Sequence, residues 1–346
     1  MTNHSSISKI SVIIPTYNRS KYIYKTLESF VNQNYPKNLY EIIIADNNST
    51  DDTRSVVEEF IKSVQQPHCL YLYEERQGVH FARNTAAKNA QNELLYFTDD
   101  DMIADVNLLT EIIKPFQYDE MVADVTGRVL PIWEVTPPNW VLKHCFNSLL
   151  SLLDPPDEFL ITTDIKYLYS CHQAISRGVF FQCEGFNPEY TKRVYLGDGE
   201  TGLNIKVKNL GYKFGYNGKS ITYHIIPPHR MTQKYLNNRI GNNGNAHSYT
   251  EYRSEAPSNL RLLQKAAKRS FIVAPARLSL FLIKAILNFD FAYVRFFWAY
   301  CFYYLNRLFY ELKIVFNPAW RKFVLKNDWL SESENVALKK NLELTE

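Results

Sequence analysis

The chain has 346 residues, of which 46% are apolar and 22% charged, with a formal net charge of +3. That is ordinary for a globular protein, and long enough for a large core or for one core with an appendage. The cysteines at 69, 145, 171, 183 and 301 show no CxxC pair or zinc spacing and are odd in number, which suggests reduced thiols and a cytosolic setting rather than a disulfide framework.

Charge is unevenly spread. Residues 261–326 hold twelve Lys or Arg against Asp290 and Glu311, a local balance of +10, while residues 327–346 sum to −3 and residues 1–260 to −4. A mildly acidic body therefore carries a basic, aromatic appendage, and charge so concentrated marks a partner surface. Residues 1–9 are polar, so no signal peptide is expected there.

In chain order, residues 9–15 predict a strand stopped by Pro15, then a loop over 16–20 and a helix from 21 to about 34 with Leu27, Phe30 and Val31 on one face. Residues 41–45 predict a second strand, and the polar run 46–52 can cap a helix over 53–64. Residues 70–74 and 93–97 are the third and fourth strands, with a helix over 81–89 between them. Such alternation of apolar strands with helices predicts parallel βαβ units, in which ligands bind beyond the carboxyl ends of the strands. Thr16, Tyr17, Asp46 and Asp99 to Asp101 all fall at those ends.

The fourth strand runs into Asp99-Asp100-Asp101. Three adjacent carboxylates repel, so at least one is driven toward its neutral form unless a cation lies among them. Alternation along an extended segment would aim Asp99 and Asp101 one way and Asp100 the other. Paired carboxylates on one face suit Mg²⁺ or Mn²⁺. The alternative is a solvated acidic turn capping the next helix.

After residue 122 the alternation fades. Residues 122–130 predict a strand, followed by a rigid loop with Pro131, Trp133, Pro137, Pro138 and Trp140. Its tryptophans suit either stacking on sugar faces or filling the core. Residues 197–202 open a helix over 203–208 closed by Gly211, residues 212–216 and 220–224 are short strands, and 232–240 is helical.

In this fixed order, SVIIPTYN (11–18), DNNSTD (46–51), GVHFARN (78–84), FTDDD (97–101) and the acidic GDGET (197–201) resemble family 2 glycosyltransferases, over residues 10 to about 240. The resemblance implies an α/β, GT-A fold: a Rossmann-like, mostly parallel sheet flanked by helices, here with a C-terminal helical appendage. It implies inverting transfer of a sugar from a nucleotide diphosphate sugar with Mg²⁺ or Mn²⁺. Pro15, Thr16 and Tyr17 match the loop against base and ribose, Asp46 the carboxylate that reads the base (favouring UDP), and Arg83 the basic residue that steadies the nucleotide. Asp99 matches the acid near the ribose, with Asp100 beside it, and Asp101 the metal ligand, joined by Asp99 and His224. The general base is matched by Glu200, with Asp198 as the fallback because Gly199 stands where a second acid is usual. Trp133, Trp140, His172 and Arg230 are expected on the acceptor side. One departure is YSCHQA (169–174), bulkier and more polar than the small Gly-rich segment of relatives, which leaves the acceptor open.

The expected divisions are a flexible 1–9, a catalytic 10–255, a membrane-associating helical region 256–326 and an acidic tail 327–346. In the appendage the longest uninterrupted apolar run, 296–305, has ten residues against the roughly 20 of a spanning helix. The mixture of Trp, Tyr and Phe with Lys and Arg predicts helices lying in a membrane interface, at the cytoplasmic face. The alternative is a helical pair packed on the domain or forming a homodimer. No nucleic-acid motif is present, so no nucleic-acid partner is expected. The function expected is transfer to a glycan or lipid-linked acceptor in cell-surface polysaccharide synthesis. The alternatives are a soluble transferase acting on a protein or small molecule, and a catalytically silent nucleotide-sugar-binding module.

Overall fold

The structure, a computed structural model, describes residues 8–146, 149–156, 158–164, 168–188, 190–191, 194–195, 197–326 and 330. The expected flexible N-terminus and acidic tail fall largely outside these residues.

The elements run β1 (Ile10–Thr16), α1 (Ile23–Val31), β2 (Tyr40–Asp46), α2 (Thr53–Ser63), β3 (His68–Tyr73), α3 (Val79–Asn89), β4 (Leu94–Thr98), β5 (Met102–Ala104), α4 (Leu108–Ile112), α5 (Lys114–Tyr118) and β6 (Val122–Trp133). They continue with α6 (Asn139–His144), β7 (Phe159–Thr162), β8 (His172–Ser176), α7 (Arg177–Gln182), β9 (Tyr190–Thr191), β10 (Val194–Tyr195), α8 (Gly199–Asn209) and β11 (Lys213–Ile226). Among the described residues five helices follow: α9 (Gln233–Glu255), α10 (Asn259–Lys268), α11 (Ala274–Leu287), α12 (Ala292–Phe316) and α13 (Pro318–Val324).

The described chain forms two compact units. The first, residues 1–133, 151–192 and 199–226, is built on a sheet ordered β3-β2-β1-β4-β8-β6-β11-β5, with β7 also on β11. Strands β3, β2, β1 and β4 are parallel. Every residue of β1, β2 and β4 is buried, as apolar strands covered on both faces require. Val12, Ile14, Ile42, Ile44 and Tyr96 pack there with Leu27 and Phe30 of α1. Strand order reverses between β1 and β4, so their carboxyl ends open the crevice where such sheets take ligands.

Beyond β4 the sheet departs from the simple alternation. β8 inserts antiparallel to both β4 and β6, which is why the periodicity fades after residue 122. The two short strands expected over 212–224 are one strand, β11, whose register on β6 shifts between Asn217 and Ile221. β5 lies antiparallel on β11 with Met102 opposite His224.

The second unit, residues 134–150, 193–198 and 227–346, is helical among the described residues apart from β10. Thr232 caps α9 by accepting from the Tyr235 amide at 3.2 Å, and the helix runs 23 residues, well past the expected end at 240. Gly244 lets α9 meet α12 closely, because a Cβ there would strike the Tyr303 carbonyl oxygen. Glu251 and Glu311 tie the helices together through Arg307 and Arg269, with Lys265 bonded to Glu251 at 3.1 Å.

A π turn (Arg269–Val273) joins α10 and α11 into one helix, Asn259–Leu287, of 29 residues. Its most apolar 18-residue window has a mean hydropathy of 1.8 and is only 11% buried, so by length and composition this helix is apolar enough to cross a membrane. Arg269, Arg277 and Lys284, which break the run in sequence, all turn toward α12, where they meet Glu311, Tyr300 and Tyr293. Spacings of eight and seven residues put them on one helix face and leave the other apolar over residues 270–287, whereas Arg261 and Lys268 are exposed in the first part of the helix.

Candidate active site

The crevice residues come from four strand ends and two helix starts of the first unit. β1 ends at buried Thr16 and passes to exposed Tyr17, whose amide lies 3.4 Å from Asp100 Oδ2. Pro15 stays inside the strand opposite Ala45. Asn18 adopts a left-handed conformation (φ 52°) and its Oδ1 accepts from the Thr50 amide at 2.7 Å, which sends Arg19 back over the crevice. Arg19 Nε is 3.2 Å from Asp100 Oδ1 and its Nη2 3.7 Å from Asp101 Oδ2.

At the end of β2, Asp46 is buried and accepts from the Ser49 amide and the Tyr71 hydroxyl, each at 2.8 Å. Each carboxylate oxygen retains a lone-pair site after these bonds. Asn47 beside it holds the loop after β3 through Glu74 O, Arg76 O and the Gly78 amide. Glu74 is taken by Arg76 in a two-pronged pair, which leaves Arg83 for Asp99.

The three acids do not alternate as an extended segment would. β4 ends at Thr98 and the chain turns over 99–101 before β5, so Asp100 and Asp101 share Arg19 while Asp99 alone turns to Arg83. Burial first, and the Asp101 charge second, push Asp100 up to about 7, with Arg19 opposing. Asp101 meets His224 Nε2 at 3.6 Å, brought there by the β5–β11 pairing and the Ile225 amide bond to Asp101 O at 3.0 Å.

Among the described residues no group of three His, Cys, Asp or Glu side chains is gathered for a metal; of the expected Asp99, Asp101 and His224, the last two lie 3.6 Å apart and Asp99 is paired with Arg83. The Asp101–His224 pair still fits Mg²⁺ or Mn²⁺, whose shells take water and phosphate oxygens for the remainder. The crowded, buried Asp100–Asp101 carboxylates are an excess of negative charge that a cation would relieve.

α3 supplies a second line of contacts. Arg83 Nη1 is 3.3 Å from His80 Nδ1, and His80 Nε2 is 3.7 Å from Glu200 Oε2. His80 is wholly buried and stacks on Phe186 at 4.7 Å. Glu200, in the first turn of α8, is also 3.4 Å from the Ser170 hydroxyl. Gly199 has φ +51° and a Cβ there would collide with the His80 ring, so the glycine at this point makes room for the histidine. Arg19, His80 and Ser170 are the functional neighbours that spacing alone does not reveal. His80 stands inside GVHFARN, yet only the fold shows that it reaches α8.

His172 is a correction. Its ring is fully buried in the sheet, where Nδ1 takes the Tyr96 hydroxyl at 2.6 Å and Nε2 faces Ser220 O at 3.1 Å. A carbonyl can only accept, so Nε2 carries the proton. The first position of an antiparallel strand between β4 and β6 turns this side chain into the core. Trp133 ends β6, half-buried and paired with Ile226. Asp198, Trp140 and Arg230 belong to the second unit. There Asp198 accepts from the Thr250 hydroxyl at 2.7 Å, Trp140 lies 5.0 Å under the Arg295 guanidinium, and Arg230 sits half-exposed in a short 3₁₀ turn (Pro228–Met231).

Residues 11–181 match glycosyl transferase family 2. The uncharacterized glycosyltransferase YfnE of Bacillus subtilis is 38% identical over 112 residues, 32% of this chain and 28% of that protein. The GalNAc(5)-diNAcBac-PP-undecaprenol beta-1,3-glucosyltransferase of Campylobacter jejuni is 39% identical over 93 residues, 27% of this chain and 29% of its own. The matched region thus spans about a third or less of these relatives' length. In three dimensions the chain resembles the mannosyltransferase PcManGT from Pyrobaculum calidifontis, described in complex with GDP-Man and Mn²⁺, with a TM-score of 0.59 and 18% identity over 91% of this chain and 88% of that one. That likeness shows the GT-A fold.

Proposed function

Through residues 11–181 the chain belongs to glycosyl transferase family 2, and on that premise we propose that it transfers a sugar from a nucleotide diphosphate sugar to a hydroxyl of a glycan or lipid-linked acceptor, with inversion. The observation that carries the reading is the convergence of Thr16, Tyr17, Arg19, Asp46, Arg83 and the Asp99–Asp101 turn on the β1/β4 switch point. Catalysis is assigned to residues 10–255 and membrane attachment to 256–326.

The nucleotide lies across the ends of β1 and β2. Tyr17 offers its exposed ring, and Asp46 offers its remaining lone pairs to a base N–H, for which uracil is the favoured partner. Arg83, aligned by Asp99, and Arg19 bring positive charge to the phosphates. A divalent cation held by Asp101 and His224 would supply further charge to the diphosphate leaving group. Glu200 takes the proton from the acceptor hydroxyl as its oxygen bonds to the anomeric carbon, on the face opposite the departing diphosphate oxygen. His80 Nε2 at 3.7 Å and the Ser170 hydroxyl at 3.4 Å flank the Glu200 carboxylate. Glu200 is preferred to Asp198, whose carboxylate is engaged by Thr250.

The acceptor reading draws on the undecaprenol-linked substrate in the name of the Campylobacter relative, and on the exposed apolar face of the helix Asn259–Leu287, which suits attachment to the cytoplasmic face of a membrane. The test is release of nucleoside diphosphate from a panel of UDP- and GDP-sugars with Mn²⁺ and membrane extracts as acceptor. One donor should be turned over, and Glu200→Gln should stop transfer without stopping donor binding. Full turnover by Glu200→Gln would exclude it as the base.

A further inference from the structure

The turn between α11 and α12 exposes four large apolar side chains in six residues. Ile286, Leu287, Phe289 and Phe291 are 72%, 73%, 91% and 80% exposed. Phe289 is also left-handed (φ 48°), a conformation that bulky side chains rarely adopt. The surroundings enforce it. The Asp290 amide donates to Ala285 O at 3.1 Å, and its Oδ1 accepts from the Ala292 amide at 3.0 Å. Its Oδ2 meets Lys143 Nζ at 2.7 Å and His144 Nε2 at 3.0 Å, both from α6. Phe289 is the left-handed residue that closes α11, where glycine is usual, and its ring gives the protein's own core nothing.

What flanks the turn identifies what it meets. Phe289, Phe291, Trp140 and Trp298 line a cavity of about 800 Å³ together with Lys143 and Arg295, and Lys284 lies one turn back over Tyr293. Indoles and cations ringing an apolar tip match the boundary between lipid headgroups and acyl chains. Of the twelve basic residues across 261–326, Lys265, Arg269 and Arg307 are tied to Glu251 and Glu311, and the nine others complement an anionic surface.

We propose that the α11–α12 turn is a preformed wedge that inserts Ile286, Leu287, Phe289 and Phe291 into the interfacial layer of an anionic lipid bilayer. It rests on the membrane attachment proposed above and specifies the element that makes it. The occupant is lipid; a second copy of the chain is the competing one.

Flotation of the full chain with phosphatidylcholine vesicles, with and without phosphatidylglycerol, tests it. The wild type should float with the anionic vesicles, and Phe289→Ser/Phe291→Ser should lower the bound fraction roughly tenfold. Phe289→Gly separates the wedge from folding: freed of the left-handed penalty, it should melt no lower than wild type yet bind vesicles more weakly, by less than the double variant. Nucleotide-induced thermal shifts should be unchanged in both variants. If the wild type does not float, the membrane reading fails and the wedge with it. If it floats and both variants float equally well, the wedge alone is wrong. A dimer in sedimentation velocity that the double variant abolishes, with no vesicle binding, would assign the turn to a second copy.

Discussion

His80 Nε2 lies 3.7 Å from Glu200 Oε2, and the residue that leaves it room is Gly199. An α3 histidine thus occupies the space beside the candidate base that a side chain at 199 would fill. Gly199→Ala should cost stability twice, through a left-handed alanine at about 1 kcal/mol and through the collision with His80. The second part should vanish in a His80→Ala background, so a double-mutant cycle of melting free energies should show a coupling on the order of 1 kcal/mol. Simple additivity would mean that the two positions do not meet.

Glu200→Gln should lower kcat by roughly 10³-fold, the contribution of a placed general base, with KM for the donor little changed. Asp198→Asn should keep most of the turnover, because its carboxylate is engaged by Thr250. His80→Ala should lower kcat by about tenfold through lost positioning, and His80→Gln, which keeps a donor near the carboxylate, should recover part of it. The reverse ranking of Glu200 and Asp198 would move the base.

Asp101→Asn and His224→Ala should each raise the Mn²⁺ concentration needed for half-maximal turnover by roughly 10- to 100-fold. Asp99→Asn should instead act on nucleotide affinity, since Asp99 is paired with Arg83. A manganese titration of the three variants checks this. An Asp99 effect as large as that of Asp101 on metal demand would restore the three-ligand set.

His172 supplies a pH dependence. Burial lowers its folded-state value to about 4, with the Ser220 carbonyl opposing, against about 6.5 in the unfolded chain. The unfolded state therefore binds the extra proton first, and stability falls as pH drops from 6.5 toward 4. Between pH 7 and pH 5 the loss from this group is about 2 kcal/mol. Urea unfolding at the two pH values measures it, and His172→Gln should flatten the difference by that amount. An unchanged slope would show that His172 is not held neutral.

The parallel half of the fold was legible because β1, β2 and β4 are largely apolar runs that lead into Thr16, Asp46 and Asp99, so strand ends and polar motifs marked the crevice together. What failed was local geometry. Asp99 to Asp101 form a turn, where strand alternation does not apply, and the antiparallel entry of β8 that buries His172 has no periodic signature of its own. The apolar face of the helix Asn259–Leu287 was hidden by three cations that lie together on the side facing α12, visible only once the helix has its full length. His80 reaches Glu200 across 120 positions, a contact no short motif encodes.

The measurement that bears most directly on the whole account is a thermal-shift titration of wild type and Asp101→Asn with UDP, GDP, dTDP and CMP, each with and without Mn²⁺. A ligand that binds only the native state raises its melting temperature by mass action. One nucleoside diphosphate, expected to be UDP, should stabilise the wild type only with Mn²⁺, and Asp101→Asn should lose that shift. A folded wild type that responds to none of the nucleotides, or a shift that survives Asp101→Asn intact, would contradict the donor site at the ends of β1 and β4.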